Sequence, residues 1–108
     1  MAEDVIVAID GGPASNAAVD WMLDRARTLT LSVELTTVVD LDQAPAGGPE
    51  DDFRIVYERA LSQAARWVEA AAPNLRKTSV VRRGSPVEEL IRASKTADVL
   101  VIGTDRTT

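Results

Sequence analysis

Two short runs of apolar, mostly β-branched residues lie near the two ends of this chain, and each leads directly into a loop of small polar residues. The first run is Val5 to Ile9, followed by Asp10-Gly11-Gly12-Pro13, and the second is Val99 to Ile102, followed by Gly103-Thr104. Continuous apolar runs are typical of strands covered on both faces, as in parallel α/β sheets. In such sheets, ligands bind in the crevice beyond the carboxyl ends of the strands. The pattern therefore predicts a binding site built from the first and last loops.

The length of 108 residues predicts a single domain over residues 1–108. The longest apolar runs are far shorter than the roughly 20 residues that a membrane span needs. The start, Met1-Ala2-Glu3-Asp4, is acidic where an export signal would carry positive charge. We therefore expect a cytoplasmic protein with no membrane partner.

The sequence contains no cysteine and no histidine. Thiolate catalysis, the commonest general base and the commonest metal ligand are therefore absent, so neither efficient catalysis nor a protein-held metal is expected. The formal net charge of −5 opposes attraction to nucleic-acid phosphates, so no nucleic-acid partner is expected.

Periodicity and turn residues predict the order of the elements. Strands are predicted at Val5–Ile9, Ser32–Val39, Lys77–Arg82 and Asp98–Ile102. Helices are predicted from Pro13 to about Thr30, from about Asp52 to Ala72, and from Pro86 to about Thr96, with a mobile surface loop at Leu41–Asp52.

Three details of these elements can be tested against the structure. Trp21 shares helical spacing with other apolar residues, so we expect it in the core. Ser85 and Glu88 have the spacing of a capping box at the start of the third helix. The paired arginines Arg82 and Arg83 are expected to be solvated or paired with Glu88 and Glu89.

The order β-α-β-α-β-α-β predicts a parallel sheet with right-handed connections and helices on both faces. A sheet covered on both faces normally has a helix after its last strand, and only a short segment follows Ile102. Part of the sheet is therefore expected to lie bare, unless another chain covers it or the chain is a shortened form.

The detailed residues resemble the universal stress protein family, whose pattern begins with a strand that ends in Val-Ala-x-Asp-Gly-Ser. The resemblance covers nearly the whole chain. It is carried by Val7-Ala8-Ile9-Asp10-Gly11-Gly12, by Thr37-Val38-Val39-Asp40, by Gly84-Ser85-Pro86 with Glu88-Glu89-Leu90, and by Ala97-Asp98-Val99-Leu100-Val101-Ile102-Gly103-Thr104.

This resemblance implies a Rossmann-like domain, of the adenine nucleotide alpha hydrolase-like type, in a family many of whose members bind ATP without being efficient enzymes. The implied site has an aspartate near the nucleoside, strand-end backbone at the adenine, and a glycine-rich loop at the ribose and phosphates. Those roles fall on Asp10, Val38 and Gly103. With their neighbours, the candidate site residues are Ile9, Asp10, Gly11, Val38, Gly103, Thr104 and Arg106.

The chain also departs from the family pattern after the fourth strand. The family's phosphate loop is Gly-x-x-Gly followed at a distance by Gly and Ser or Thr, whereas Arg106 stands at the second glycine and the rest has no counterpart. Arg106 offers a bidentate phosphate contact instead, while Asp105 would repel a triphosphate unless a divalent metal such as Mg²⁺ intervened. The family's fifth strand, which often pairs across a dimer, and its last helix also have no counterpart in the 108 residues.

Two residues near the first loop have alternative interpretations. Asp10 either contacts a ribose hydroxyl or forms an Asx turn within its own loop. Ser15 either contacts a phosphate or, as is usual in a first helical turn, bonds to backbone or water.

Two functions therefore stay open. In the first, the domain binds ATP for stress-response signalling or assembly, as a homodimer. In the second, the same fold is a nucleotide-free interaction module that forms a homo-oligomer or contacts a protein partner through an exposed sheet edge or an uncovered face. An enzyme acting on an adenylate would need motifs that the sequence lacks.

Overall fold

The computed structural model describes residues 2–40 and 50–103, and of residues 50–53 the backbone only. Strands and helices alternate along the chain in the predicted order, and the strand ends differ from their predicted positions by no more than two residues. The elements are β1 (Glu3–Ala8), α1 (Pro13–Ala26), β2 (Leu31–Val39), α2 (Glu50–Ala71), β3 (Arg76–Arg83), α3 (Pro86–Ser94) and β4 (Val99–Val101).

The four strands form one parallel sheet in the order β3-β2-β1-β4. In its middle, Val7 of β1 is paired with Leu35 of β2 on one side and with Val101 of β4 on the other. The connections through α1 and α2 both step from β1 toward β3, whereas the connection through α3 returns from β3 to β4. Right-handed crossovers therefore place α1 and α2, which touch each other, on one face and α3 on the other. The predicted parallel sheet with helices on both faces is confirmed.

The main core lies between the sheet and the two helices α1 and α2. Side chains alternate along a strand, so every second residue of β1 and β2 points into this core. Val7 and Leu35 are fully buried there, against Met22 of α1 and Val68 of α2. This packing fixes where β1 ends and α1 begins, which is where the predicted site lies.

The opposite face carries an ion pair that the sequence did not predict. Arg82 donates from Nη2 to Glu34 Oε2 at 2.8 Å, and from Nε to the hydroxyl of Thr36 at 3.2 Å. The prediction that Arg82 is solvated or paired with its chain neighbours is therefore wrong. Pairing of β2 with β3 places Arg82 level with Val38 and on the same face as Glu34, and the long arginine side chain reaches back past Thr36 to Glu34.

Trp21 was predicted in the core, and this prediction is wrong. The indole is 46% exposed and stacks on the guanidinium of Arg25, which lies 5.3 Å from the ring centre. The face of α1 that packs on the sheet is formed by Ala18, Val19 and Met22. One step along a helix turns a side chain by about 100°, so Trp21 lies at the border of that face while Met22 lies within it.

The helix ends differ from their predicted positions. α1 ends at Ala26 rather than near Thr30, because the N–H of Arg27 donates to the carbonyl of Asp24 at 3.1 Å in a tighter turn. α2 begins at Glu50, so residues 50–52 of the predicted loop are helical and the rest of that loop lies outside the described residues. None of the helices in the described part of the chain is both long and apolar enough to cross a membrane.

Ser85 occupies the N-cap position of α3, with Pro86 after it, as predicted. Its hydroxyl forms no capping hydrogen bond with any described residue, so the side-chain part of the predicted capping box is wrong. The carboxylates of Glu88 and Glu89 stand in the first turn, where they complement the helix dipole. Glu89 also forms an ion pair with Arg92 at 2.8 Å, one turn farther along.

Candidate functional site

Three segments leave the sheet side by side at the carboxyl ends of β2, β1 and β4. The sheet order places the loop after β1 between the last residues of β2 and the first residues after β4. Extending the pairing of Ala8 with Thr36 places Asp10 level with Val38, and Gly103 follows β4 on the other side. Asp10, Val38 and Gly103 are therefore brought to one edge of the sheet.

Gly103 makes close backbone contact with the start of α1. A Cβ on this residue would collide with the carbonyl group of Ala14 and would lie 2.9 Å from the backbone nitrogen of Ser15. Only glycine permits so close an approach between backbones. The contact therefore fixes the segment after β4 against the N-terminal turn of α1 and joins the two halves of the site.

The loop after β1 is ordered by Asp10. Its Oδ1 accepts a hydrogen bond from the N–H of Gly12 at 2.8 Å, which forms an Asx turn. Between them Gly11 adopts φ +88°, and a Cβ there would lie 3.1 Å from the Cβ of Ala60 in α2. The alternative role predicted for Asp10 is thus present. It does not compete with a ligand role, because an exposed carboxylate has a second oxygen and further lone pairs.

The N-terminus of α1 lies in this loop and carries no acidic residue in its first turn. Pro13 stands at the first helical position, after the N-cap Gly12. The hydroxyl of Ser15 is buried and donates to the carbonyl of Gly12 at 3.0 Å, which confirms the predicted bonding of Ser15 to backbone. The positive end of the helix dipole therefore faces the same edge as Gly103, a polarity that suits an anionic group.

Val38 contributes backbone groups to this edge. The N–H of Ile9 donates to the carbonyl of Thr36 at 2.7 Å, so by the alternation of a parallel ladder the carbonyl of Val38 points to the same side. β1 has already ended at the level of Val38, so the carbonyl of Val38 points toward the loop that follows β1 and not toward β1 itself. The carbonyl of Val39 points the opposite way and accepts the N–H of Gly84 at 3.1 Å. A strand-end carbonyl is thus presented beside the loop after β1.

The other predicted site residues differ in their surroundings. The side chain of Ile9 is buried in the main core, so only its backbone borders the site. Thr104 and Arg106 lie outside the described residues. The structure therefore brings together Ile9, Asp10, Gly11, Val38 and Gly103.

A cavity of about 280 Å³ lies behind the loop after β1, between α1 and α2. Gly11 and Ser15 line it on one side, and Gln63 and Trp67 of α2 line it on the other. Sequence reasoning did not assign Gln63 or Trp67 to the site. Their spacing of four residues shows that they share a face of α2, but only the packing of α2 against α1 shows which loop that face borders.

Comparison with known sequences agrees with the resemblance seen in the motifs. The sequence matches the Universal stress protein family over residues 1–108. Universal stress protein Rv3134c of Mycobacterium tuberculosis (strain ATCC 25618 / H37Rv) is 32% identical over 102 residues, which are 94% of this chain. Universal stress protein Rv2624c of the same strain is 30% identical over 101 residues, or 92% of this chain. The chain spans 38% and 36% of the lengths of these two relatives.

Solved structures share the fold. A universal stress protein family member from Burkholderia pseudomallei superposes with a TM-score of 0.78 at 25% identity, covering 94% of this chain and 81% of that one. A universal stress protein in complex with cAMP gives 0.71 at 23% identity, with 93% and 75% covered. A family protein from Arabidopsis thaliana with AMP bound gives 0.68 at 19% identity, with 94% and 76% covered. Given the match over its whole length, the chain belongs to the universal stress protein family.

Proposed function

We propose that this domain binds an adenine nucleotide at the carboxyl ends of β2, β1 and β4. The observation that carries the proposal is the position of Asp10 between Val38 and Gly103, at the edge where parallel α/β sheets hold their ligands. Two proteins with this fold have been crystallised with cAMP and with AMP, which supports an adenine nucleotide as the ligand class.

Each part of a nucleotide has a complementary group at this edge. Backbone groups of Val38 offer hydrogen bonds to the edge of the adenine base. The carboxylate of Asp10 accepts hydrogen bonds from ribose hydroxyls. The phosphates lie near Gly103 and the N-terminus of α1, where the helix dipole and the absence of first-turn acids favour negative charge.

We propose ATP with Mg²⁺ as the ligand in the cell, and signalling or assembly in the cytoplasm, with self-association into a homodimer, as its use. Within the described residues, no group of three or more acidic side chains could hold a metal ion. The phosphates would therefore provide the main ligands of Mg²⁺. With no histidine or cysteine to act as a general base or nucleophile, we expect binding without efficient turnover.

Isothermal titration calorimetry with ATP and Mg²⁺, AMP and cAMP tests the proposal on three variants. Asp10→Asn removes the charge but keeps an Oδ1 that accepts the Gly12 N–H, so the loop stays ordered. We expect it to weaken binding by about tenfold, the typical effect of losing one charged hydrogen bond. Asp10→Ala also removes the turn and should weaken binding further.

Asp20→Asn is the matched control, because it removes one exposed negative charge from α1 away from the loop. It should bind like the wild type. If none of the three nucleotides binds the folded wild-type chain, or if Asp10→Asn binds as tightly as the wild type, the proposed site is wrong.

A second candidate function is supported by exposed apolar side chains on and after α3. Val87 and Ile91 are 67% and 56% exposed, and Ile102 after β4 is half exposed. Val87 and Ile91 stand four residues apart on one face of α3, and contiguous exposed apolar patches mark interaction surfaces. If the domain works through this surface, the double variant Val87→Glu, Ile91→Glu should lower the mass measured by light scattering, whereas Val56→Glu, at an exposed apolar position on α2, should not.

A further inference from the structure

β3 forms one edge of the sheet, and no described element pairs with its other side. The N–H of Gly84 donates to the carbonyl of Val39 in β2, so the even-numbered residues of β3 direct their backbone groups toward β2. The odd-numbered residues direct theirs away from the sheet. The N–H and C=O groups of Lys77, Ser79, Val81 and Arg83 therefore point to the open edge.

This edge is strongly basic. Four of the eight residues of β3 are cationic and none is acidic, although the chain as a whole has a net charge of −5. Lys77 forms an ion pair with Glu69, and Arg82 forms one with Glu34. Arg76 and Arg83, at the two ends of β3, are exposed.

Arg76 and Arg83 have no carboxylate within ion-pairing distance among the described side chains. Between them, Val81 is 40% exposed and offers an apolar contact. An extended segment laid along β3 would therefore meet an unpaired cation at each end and an apolar side chain two residues before Arg83.

We infer that the β3 edge binds an acidic, extended peptide segment of a partner protein as an added strand. Added strands gain affinity from main-chain hydrogen bonds and specificity from alternate side chains. Arg76 and Arg83 are about 23 Å apart along an extended strand at ~3.3 Å per residue. They lie on opposite faces of the sheet, because seven positions separate them. The preferred segment carries acidic residues seven positions apart, with an aliphatic residue opposite Val81.

Charge argues against one alternative partner of the β3 edge, and the outward backbone groups argue against another. Edge-to-edge pairing of β3 with β3 of a second copy would bring like charges together, and cations on edge strands are a known device against such pairing. A nucleic acid would use the arginines but not the outward N–H and C=O groups. The inference does not depend on nucleotide binding, because β3 lies on the side of β2 away from β1.

Fluorescence anisotropy with a dye-labelled eight-residue peptide tests the inference. The probe has glutamate at its first and eighth positions, valine at its third and sixth, and threonine at the other four, so that a valine lies opposite Val81 in either strand direction. Ser79→Pro removes one outward N–H without removing any hydrogen bond to β2, and Ser79→Ala is its matched control. Arg76→Glu with Arg83→Glu reverses the two end charges. Arg59→Glu with Arg66→Glu makes the same change in net charge on the exposed surface of α2.

We expect similar peptide affinity for the wild type, for Ser79→Ala and for the double variant Arg59→Glu, Arg66→Glu on α2. Ser79→Pro should bind at least about tenfold more weakly, because it removes a main-chain hydrogen bond to the added strand. The double variant Arg76→Glu, Arg83→Glu should show a loss of at least the same size, because it removes the charge attraction. Circular dichroism of every variant verifies folding.

Three results would overturn the inference. The first is no binding to the folded wild type at millimolar peptide. The second is unchanged binding by Ser79→Pro, which would indicate charge attraction without an added strand. The third is equal or tighter binding of a single-stranded oligonucleotide of the same length.

Discussion

The backbone of Gly103 lies against the carbonyl group of Ala14, so the first residues after β4 pack directly on the first turn of α1. β4 pairs with β1, and α1 follows β1 along the chain. This contact therefore holds together the two segments that border the candidate nucleotide site. The geometry of the site thus depends on Gly103, because only a residue without a side chain permits this close contact between backbones.

Gly103→Ala should destabilise the fold. Its Cβ has no space beside Ala14, so the two backbones must separate, at a cost of about 1–3 kcal/mol for an overpacked contact. Urea denaturation measures the loss. Gly12→Ala is the control, because Gly12 has an ordinary φ of −86° and its Cβ would meet only the side chain of Asp10. Equal losses in the two variants would contradict the close contact at Gly103.

Two neighbouring residues of α1 should respond very differently to truncation. Met22 is fully buried in the main core, so Met22→Ala should cost about 2–5 kcal/mol in the free energy of unfolding. Trp21→Ala should cost less, because the indole is about half exposed and stacks on the partly exposed side chain of Arg25. Thermal or urea denaturation of the two variants decides between this arrangement and the one predicted from the sequence.

The ion pair between Glu3 and Arg25 should make stability depend on pH in the acid range. The guanidinium of Arg25 donates to both carboxylate oxygens of Glu3, at 2.5 and 2.8 Å. This hydrogen bonding lowers the pKa of Glu3 below its ordinary value. The folded state therefore holds the proton less tightly than the unfolded chain. The contribution to stability is full above the ordinary glutamate pKa and is lost as pH falls through the lowered pKa.

Glu3→Gln should accordingly lower the Tm near neutral pH, with the difference from the wild type shrinking as the solution is acidified. Asp24→Asn removes a carboxylate whose ion pair with Arg27 is highly exposed and longer, at 3.7 Å. That variant should follow the wild-type profile, because exposed pairs contribute little. A constant Tm difference between Glu3→Gln and the wild type at all pH values would contradict the assignment.

The ion pair between Glu34 and Arg82 links β2 to β3 on the face opposite the main core. Both side chains are less than a quarter exposed, and Arg82 also bonds to the hydroxyl of Thr36. A double-mutant cycle with Glu34→Gln and Arg82→Gln should give a coupling energy of about 1 kcal/mol. The same cycle on Asp24 and Arg27, a highly exposed pair at the end of α1, should give only about 0.2–0.5 kcal/mol. Coupling between Glu34 and Arg82 no larger than that between Asp24 and Arg27 would indicate that the Glu34–Arg82 pair is fully solvated in solution.

The fold and most of the candidate site could be predicted from the chain alone. The apolar run before Asp10 and the one before Gly103 both predict buried parallel strands, and strands of that kind place their following loops at one edge. Helical spacing predicted α2 to within a few residues, because its apolar stripe is long and regular. Site residues that depend on backbone, such as Val38, could be named only through the family resemblance, because no side-chain pattern marks them.

Errors in prediction arose where a residue's position depends on a neighbouring element. Trp21 and Met22 both fit the apolar stripe of α1, and only the angle at which α1 packs on the sheet decides which of them is buried. Arg82 was assigned to partners close in sequence because its true partner, Glu34, becomes a neighbour only through strand pairing.

Local patterns in the chain predicted the alternation of strands and helices, the loops at the strand ends and the family. These features follow from local periodicity, turn residues and motif order, which act within a few residues of one another. Only the folded chain shows that Gly103 touches the first turn of α1, that Gln63 and Trp67 border the loop after β1, and that β3 forms a basic edge. Each of these depends on contacts between residues distant in the chain, and such contacts are set by how the whole sheet and its helices pack.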